Sequence, residues 1–312
     1  MVILFPSYIR RIALKNTFFS SKNPRLYHYT QVWICPHEHG HIQAIGRDNK
    51  KRKQYIYHPT WVSRRQEEKF KSLLKFGYFL SLLREKIDEE LNKPPTLSKT
   101  QIICSVLFLV DNYSIRIGNP TYAKQNKTYG ATTLRKKHLI QKRKSIAFKF
   151  LGKNKHLWSF EVNNEKIIKI IKHSSMAPGY EIFKYYNEQR KFEPITSRDI
   201  NEYLSSLSDD HFTAKNFRTW IANREFFIRV IHLLEKKNLR MIQIKKHLFE
   251  VANLLGHTPT ICKTSYLHPE ILTWIKNGKL QQWKNKNQKH IKNKNAEELF
   301  LFWLEELYQE KR

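Results

Sequence analysis

Residues 146–162, with the sequence IAFKFLGKNKHLWSFEV, set the fold class of this chain. Apolar and polar side chains alternate from Ile146 to Phe150 and again from Leu157 to Val162, which is the period of a half-buried strand. The Gly-Lys-Asn-Lys between them provides a turn, so the stretch predicts a β-hairpin with a lysine-rich tip. The chain beyond it reads as helical, and the predicted fold class is therefore α+β.

A second β-rich region lies near the N-terminus. Short runs of β-branched and aromatic residues, separated by Pro36, Gly40 and a basic turn, predict three strands, at Gln31–Cys35, His41–Ile45 and Gln54–His58. From Arg64 the apolar spacing becomes helical. We therefore expect a small β-rich domain over residues 1–64 and a mostly α-helical domain over residues 65–312.

Capping residues mark the predicted helices. Asn92-Lys-Pro-Pro95 ends the helix that starts at Arg64, and Ser98 caps a helix that runs through Val110. Further helices are predicted from Thr196 or Ser197, from Thr213 to about Lys236, from Met241 to Leu255 with Gly256 after it, and over Glu297–Tyr308. The segment at about 276–294 is rich in Lys, Asn and Gln, which is typical of a solvated or DNA-tracking basic tail.

Composition narrows the class of function. The 312 residues carry 57 Lys and Arg against 27 Asp and Glu, a net charge of +30, which indicates a polyanionic partner. The nine glycines are never spaced as a GxGxxG or GxxxxGK[ST] phosphate loop, so ATP or NAD dependence is not expected. Three scattered cysteines indicate a reducing compartment.

No membrane association is expected. The apolar start of the chain is cut short by Pro6 and followed by Arg10 and Arg11, which is the wrong order for a signal peptide. The longest later apolar stretch, Val106–Val110, is far shorter than the roughly 20 residues of a membrane span. The sequence predicts a cytoplasmic, nucleoid-associated protein.

Residues 37–41 spell H-E-x-x-H, the pattern of zinc proteases. That chemistry needs a helix, because both histidines must lie on one face. Pro36 and Gly40 instead bracket a short link between two predicted strands, which would leave the histidines in water. We therefore expect no metal here and no cofactor elsewhere in the chain.

Five short motifs follow one another along the chain between residues 115 and 266. They are Ile115-Arg-Ile-Gly-Asn119, Phe150-Leu-Gly-Lys153, Thr213-Ala-Lys-Asn-Phe-Arg-Thr-Trp220, Leu255-Gly-His-Thr-Pro259 and Ser265-Tyr266. Together with Val32-Trp-Ile-Cys-Pro36 and Gly46-Arg-Asp48, they resemble the poxvirus-like and bacterial type IB DNA topoisomerases, from about Gln31 to Leu272. This resemblance implies ATP- and metal-independent relaxation of supercoiled duplex DNA through a 3′-phosphotyrosyl intermediate. It also implies that residues 1–64 form a DNA-clamping domain and that residues 65–312 form the catalytic domain.

The resemblance also implies the site residues. Tyr266 would be the nucleophile, and Arg116, Arg218 and His257 would stabilise charge on the non-bridging phosphate oxygens. Lys153 would be the general acid for the leaving 5′-oxygen, with Lys155 on the same tip as the alternative. The implied DNA contacts are Gln43, Arg47, Lys53, Gln54, Tyr55 and Tyr57 in the N-terminal segment, and Tyr122, Lys124, Arg135 and Lys136 on the segment expected to enter the major groove.

Two other functions use similar residues. A tyrosine recombinase shares the nucleophile chemistry, but the segment from Trp33 to Asp48 argues against it. A catalytically inactive DNA-binding relative is the second alternative, and the intact set of five catalytic residues argues against that. The expected partner is double-stranded DNA, bound by a monomer.

Overall fold

The computed structural model describes residues 28–236 and 239–310. The chain divides into two compact units, the first ending at Lys71 and the second beginning at Ser72. The domain boundary predicted after residue 64 stays a prediction. The predictions for residues 1–27, including the lack of a signal peptide, lie outside the described residues.

The first unit contains an antiparallel three-stranded sheet in chain order. Val32 and Ala44 form its small buried core, against which Tyr29, Ile34 and Ile56 pack. The three predicted strands are confirmed to within two residues at each end, as β1 (Thr30–Ile34), β2 (Ile42–Arg47) and β3 (Lys53–Tyr57).

Helix α1 (Pro59–Asn92) begins earlier than the expected Arg64. Proline is favoured in the first helical turn because its missing N–H needs no partner there. The ring Nδ1 of His58 also accepts a hydrogen bond from the Thr60 N–H at 3.2 Å. The residues that follow are exposed, Trp61 and Val62 included, so this first part of the helix has no apolar spacing that would indicate a buried face.

The helices of the second unit largely follow the predicted caps. Ser98 accepts a hydrogen bond from the Gln101 N–H at 3.2 Å and starts α2, as expected. The helices predicted from residues 196, 213, 241 and 297 are also confirmed. The described helices after α1 are α2 (Lys99–Tyr113), α3 (Pro120–Asn126), α4 (Glu165–Met176), α5 (Ser197–Ser206), α6 (Ala214–Glu235), α7 (Met241–Leu254), α8 (Pro259–Ser265), α9 (Pro269–Lys276), α10 (Lys279–Lys286), α11 (Gln288–Lys292) and α12 (Ala296–Gln309).

The predicted hairpin is confirmed and belongs to a three-stranded antiparallel sheet. Its paired strands are β5 (Ile146–Leu151) and β6 (Leu157–Val162), and β4 (Leu139–Gln141) adds a third. A second small hairpin, β7 (Lys184–Tyr186) with β8 (Phe192–Pro194), was not predicted. With these sheets beside the helices, the α+β class is confirmed.

Helix α6 lies at the centre of the second unit, packed against α2, α5, α7 and α12. Its aromatic side chains Phe217, Trp220, Phe226 and Phe227 are all buried. The ring of Trp220 meets that of Phe300 of α12 at a centroid distance of 5.2 Å. Burying several aromatic rings gives this helix a fixed position, on which the site described below depends.

A partly buried ion-pair network joins four helices. Arg84 of α1 donates to Asp111 of α2, with Nε 2.7 Å from Oδ2, and also to Glu297 of α12. Arg224 and Trp220 of α6 donate to the same Glu297 carboxylate at 2.9 and 2.8 Å. The network therefore holds the end of α2 and the central helix α6 to the C-terminal helix.

The basic tail differs from the prediction of a solvated segment. Its lysines are mostly exposed, but Leu280, Trp283 and Ile291 are buried. Trp283 packs against Phe227 of α6 at a ring-centroid distance of 5.8 Å. The tail is therefore two short packed helices. No helix in the described ranges is long and apolar enough to cross a membrane.

Candidate active site

Arg218 lies in the first turns of α6 and is only 4% exposed. Its Nη1 donates to the Ser114 carbonyl just after α2 at 2.5 Å. Its Nη2 donates to the Leu255 carbonyl at the end of α7 and lies 2.8 Å from Nε2 of His257. One guanidinium thus joins three separate chain segments.

The electrostatics of Arg218 suit an anionic ligand. Burial and the positive charge of Arg116 lower the pKa of Arg218 to about 10, although the neighbouring Tyr266 partly offsets this. The buried Nε has no hydrogen-bond partner among the described residues. A phosphate oxygen would relieve both the charge repulsion and the unpaired donor.

Arg116 reaches the same place from the loop after α2. Its carbonyl accepts a hydrogen bond from the Ala131 N–H at 2.8 Å. A Cβ on Gly130 would lie 2.4 Å from that carbonyl oxygen, so the close approach requires glycine there. The Nη2 of Arg116 lies 3.4 Å from Nδ1 of His257.

His257 follows Gly256, whose φ of +59° ends helix α7. Burial and the charges of Arg218, Arg116 and Lys153 lower the pKa of His257 to about 3, so the ring is neutral near pH 7. We assign Nε2 as the acceptor of the Arg218 hydrogen bond, which leaves the hydrogen on Nδ1, so the 3.4 Å approach of Arg116 Nη2 to Nδ1 is not a hydrogen bond. His257 can therefore donate a hydrogen bond from its Nδ1–H while its ring stays neutral.

Tyr266 directly follows α8 and is 8% exposed. Its ring lies beside that of His257, with a centroid distance of 4.3 Å. Its hydroxyl is close enough to Arg218 to raise the pKa of that guanidinium. The structure therefore brings together Arg116, Arg218, His257 and Tyr266, and their catalytic roles stay a prediction.

Asn223 was missed by the sequence reasoning. Its fully buried amide donates to the Tyr266 carbonyl at 2.8 Å and accepts from the His268 N–H at 2.6 Å. It lies five residues after Arg218 on α6. The available signal was one asparagine in the otherwise apolar, aromatic stripe of that helix.

Lys153 is exposed at the tip of the β5–β6 hairpin. The backbone of the two following residues, Asn154 and Lys155, is left-handed, with φ of 62° and 58°. The Gly152 N–H donates to the His156 carbonyl at 2.8 Å and closes the turn. The charge of Lys153 contributes to lowering the pKa of His257. Lys155 is not among the contributors, so Lys153 has the stronger connection to the site.

Several predicted DNA-binding residues lie on β3. Lys53, Tyr55 and Tyr57 alternate with less exposed residues and share its exposed face. The rings of Tyr55 and Tyr57 are stacked at 6.2 Å. Gln54 instead donates to Asp48 at 2.9 Å. This face combines a positive charge with aromatic rings, as the protein surfaces that bind nucleic acids do.

The two predicted contacts on β2 differ from this. Gln43 is 2% exposed, and its amide donates to the carbonyls of Glu38 and Gly40 at 2.8 and 2.7 Å. It holds the β1–β2 turn, so its buried side chain is a poor candidate for a DNA contact. Arg47 is half-buried and donates to Gln31 and to the Lys51 carbonyl, both at 2.8 Å.

The predicted major-groove residues also fall into two groups. Tyr122 and Lys124 are exposed on α3, with Tyr122 at 56%. Arg135 is half-buried, 3.7 Å from Glu181, and Lys136 donates to the Ala177 carbonyl at 2.8 Å. Tyr122 and Lys124 are therefore accessible to a ligand. Arg135 and Lys136 would have to give up their contacts with Glu181 and the Ala177 carbonyl to bind one.

The H-E-x-x-H residues lie in the turn between β1 and β2, where their side chains are exposed. Across residues 28–236 and 239–310, no group of three or more His, Cys, Asp or Glu side chains is placed to hold a metal ion. The turn conformation is the one expected from Pro36 and Gly40.

Comparison with known proteins assigns most of the chain to one family. Residues 49–295 match the catalytic core of eukaryotic DNA topoisomerase I, and residues 28–48 match the N-terminal domain of bacterial DNA topoisomerase IB. The DNA topoisomerase 1B of Acanthamoeba polyphaga mimivirus is 31% identical over 276 residues, which is 86% of this chain and 80% of that protein.

Poxvirus enzymes are similar over a shorter range. The DNA topoisomerase 1B of Vaccinia virus (strain Western Reserve) is 27% identical over 239 residues, covering 74% of this chain and 72% of the viral protein. The DNA topoisomerase 1 of Rabbit fibroma virus is 23% identical over 242 residues, with 74% and 71% covered.

Proposed function

The chain belongs to the type IB DNA topoisomerases, and from this premise we propose that it relaxes supercoiled duplex DNA with Tyr266 as its nucleophile. One observation carries the assignment of the site. Two guanidinium groups, Arg116 and Arg218, converge on the neutral ring of His257 directly beside Tyr266. Such convergent donors suit the oxygens of a phosphodiester.

In the cleavage step, the phenolic oxygen of Tyr266 attacks the phosphorus. A bond forms between that oxygen and phosphorus, and the bond from phosphorus to the 5′-oxygen breaks. The phenolic proton leaves to solvent, and Lys153 gives a proton to the departing 5′-oxygen. The 3′-phosphate then remains on Tyr266 as an ester.

The charge that develops on the non-bridging oxygens is stabilised by three side chains. Arg116 and Arg218 supply positive charge and forked N–H donors. His257 supplies a neutral N–H, in keeping with its pKa of about 3 in the DNA-free protein. An arriving phosphate would take over the guanidinium hydrogen bond that His257 now accepts from Arg218.

Religation runs the same steps in reverse. The 5′-hydroxyl attacks the phosphotyrosyl ester, and Tyr266 departs. Because one phosphate ester replaces another, the two steps are close to isoenergetic. Neither ATP nor a metal ion is therefore needed to drive the cycle, and the cut strand can rotate between cleavage and religation.

Double-stranded DNA is the substrate, and we propose that one protomer acts on it alone, inside the cell and at the nucleoid. All five proposed catalytic side chains come from one chain, so no second copy is needed to complete the site. Relaxation should then be first order in protein concentration. A second-order dependence would contradict a monomer on DNA.

Relaxation of plasmid DNA tests the proposal. Supercoiled plasmid incubated with the protein in EDTA and without ATP should become relaxed, and Tyr266→Phe should leave it supercoiled. Intact supercoils with the unmodified protein would contradict the activity. Recombined products would indicate a tyrosine recombinase. Activity that is lost in EDTA and restored by zinc would indicate a zinc site at the histidines of residues 37–41.

A sulfur-substituted substrate tests the role of Lys153. Lys153→Ala should slow cleavage by a factor of about 10²–10⁴, the usual contribution of a general acid. A bridging 5′-sulfur departs without a proton, so the variant should recover on that substrate. Arg116→Ala and Arg218→Ala should stay slow on it. Recovery of Lys155→Ala in place of Lys153→Ala would assign the acid to the other lysine.

A further inference from the structure

Two glycines sit directly before two proposed catalytic residues. Gly152 precedes Lys153, and Gly256 precedes His257. The indole of Trp158 lies against both. A Cβ on Gly152 would be 2.6 Å from its Nε1, and a Cβ on Gly256 would be 3.5 Å from its Cζ2. The base of the hairpin tip is therefore packed onto the turn that carries His257.

His156 makes the tighter of the two contacts with that turn. A Cβ on Gly256 would lie 3.1 Å from Cδ2 and 3.2 Å from Cγ of the His156 ring. The ring is held edge-on to Trp158 at a centroid distance of 5.1 Å. Its backbone closes the tip, accepting from the Gly152 N–H at 2.8 Å. His156 thus touches the His257 turn while belonging to the turn that carries Lys153.

We propose that His156 is a positioning residue, which docks the hairpin tip on the Gly256 turn and so sets Lys153 beside the leaving 5′-oxygen before DNA binds. The proposal rests on the assignment of Lys153 as the general acid. Trp158 packs against both Gly152 and Gly256 and so supports this contact. In this role His156 does not contact the reacting atoms.

The tip needs such support, because its own residues make few contacts. The side chains of Lys153, Asn154 and Lys155 are all exposed. Two successive non-glycine residues are left-handed, a conformation that persists only where surrounding structure imposes it. The charge of Lys153 lowers the pKa of His257, which agrees with a docked tip.

The contact is one of packing, so shape matters more than hydrogen bonding. A planar ring at position 156 should preserve it, and a methyl group should not. His156→Phe therefore serves as the conservative variant and His156→Ala as the disruptive one. His173→Ala removes an exposed histidine on α4 and is the matched control.

The experiment compares single-turnover cleavage of substrates that carry a 5′-oxygen or a 5′-sulfur leaving group. With oxygen, His156→Ala should cleave about 10- to 100-fold more slowly, the cost of a misplaced catalytic group. With sulfur it should return close to the unmodified rate, as Lys153→Ala does. His156→Phe and His173→Ala should be near the unmodified rate on both substrates, and all variants should bind DNA alike.

The outcomes separate the two proposals. If Lys153→Ala recovers on sulfur but His156→Ala stays slow, the positioning role is wrong and the general acid stands. An unimpaired His156→Ala on oxygen would equally overturn it. If neither Lys153→Ala nor Lys155→Ala recovers on sulfur, the hairpin supplies no proton, and the inference is overturned together with that part of the proposed function.

Discussion

Tyr266 is buried against His257 and lies close to Arg218. Replacing it by phenylalanine removes one oxygen and keeps the ring packing. We expect Tyr266→Phe to abolish covalent capture of DNA and to leave duplex affinity nearly unchanged, because many phosphate contacts carry the binding. Denaturant-trapped complexes and filter binding measure the two properties. A covalent adduct on any other tyrosine, found by mass spectrometry, would refute the assignment.

Asn223 binds the Tyr266 carbonyl and the His268 N–H, so it fixes the backbone that carries the phenol. Asn223→Asp still accepts from the His268 N–H but no longer donates to the Tyr266 carbonyl. We expect cleavage to slow by about 10- to 100-fold through misplacement of Tyr266. Rapid-quench kinetics on a short duplex measure the rate.

Asn163→Ala is the control for that variant, because its side chain is exposed in the loop before α4. It should cleave at the unmodified rate. If Asn223→Asp did so too, the hydrogen bond that Asn223 donates to the Tyr266 carbonyl would have no part in positioning the tyrosine.

At the level of whole helices, Glu297 links α12 to α1 and α6. Burial alone would raise the pKa of Glu297, but hydrogen bonds from Arg84 and Trp220 outweigh this effect and lower it from 4.5 to about 2. A carboxylate with a lowered pKa stabilises the fold above its unfolded pKa, and the stabilisation is lost as the pH falls. The free energy of unfolding should therefore decline between about pH 4.5 and 2, by at most ~3 kcal/mol from this group.

Glu297→Gln should remove that part of the pH dependence. Glu188→Gln, at an exposed position, should keep it. Urea unfolding at a series of pH values measures both. Equal pH profiles for Glu297→Gln and the unmodified protein would contradict the lowered pKa of Glu297 as the source of this pH dependence.

Most elements were predictable because their signals are local. The alternation around Phe150, the cap at Ser98 and the glycine at 256 each act within a few residues. The start of α1 was not predicted because its first turns are exposed and have no periodic apolar face. The burial of Trp283 was missed because it depends on Phe227, which is distant in sequence.

The same distinction holds for the site. The proposed catalytic residues could be named from motifs that resemble a known family, each with its own spacing. Asn223 and His156 have no motif, because their partners, Tyr266 and Gly256, come from other segments. The sequence predicted an exposed amide at Gln43, because nothing in it shows that the carbonyls of Glu38 and Gly40 accept hydrogen bonds from this side chain.

At the level of the whole molecule, the net charge of +30 sets how binding responds to salt. Each phosphate neutralised by Lys or Arg releases condensed cations, so affinity falls linearly with salt on logarithmic axes. If six or more phosphates are contacted, affinity should drop by roughly 10³-fold or more between 50 and 200 mM salt. Fluorescence anisotropy with a short duplex measures the slope.

Lys53→Gln should reduce that slope by about one, since it removes one exposed cation from β3. Gln43→Ala should leave the slope unchanged, because a buried neutral amide releases no ions. A flat dependence in the unmodified protein would mean that the positive charge is not the binding surface.

The hydrogen bonds of Asn223 also have a mechanical consequence. In the proposed covalent intermediate, one DNA end is tethered to Tyr266 while the other end swivels, and the torque of the supercoils pulls on that tether. Asn223 passes this load from the backbone of residues 266–268 into α6, which is itself wedged among buried aromatic rings. The phosphate on Tyr266 therefore stays next to Arg218, which lies on the same helix. Religation can then follow when rotation returns the free 5′-hydroxyl to that phosphate.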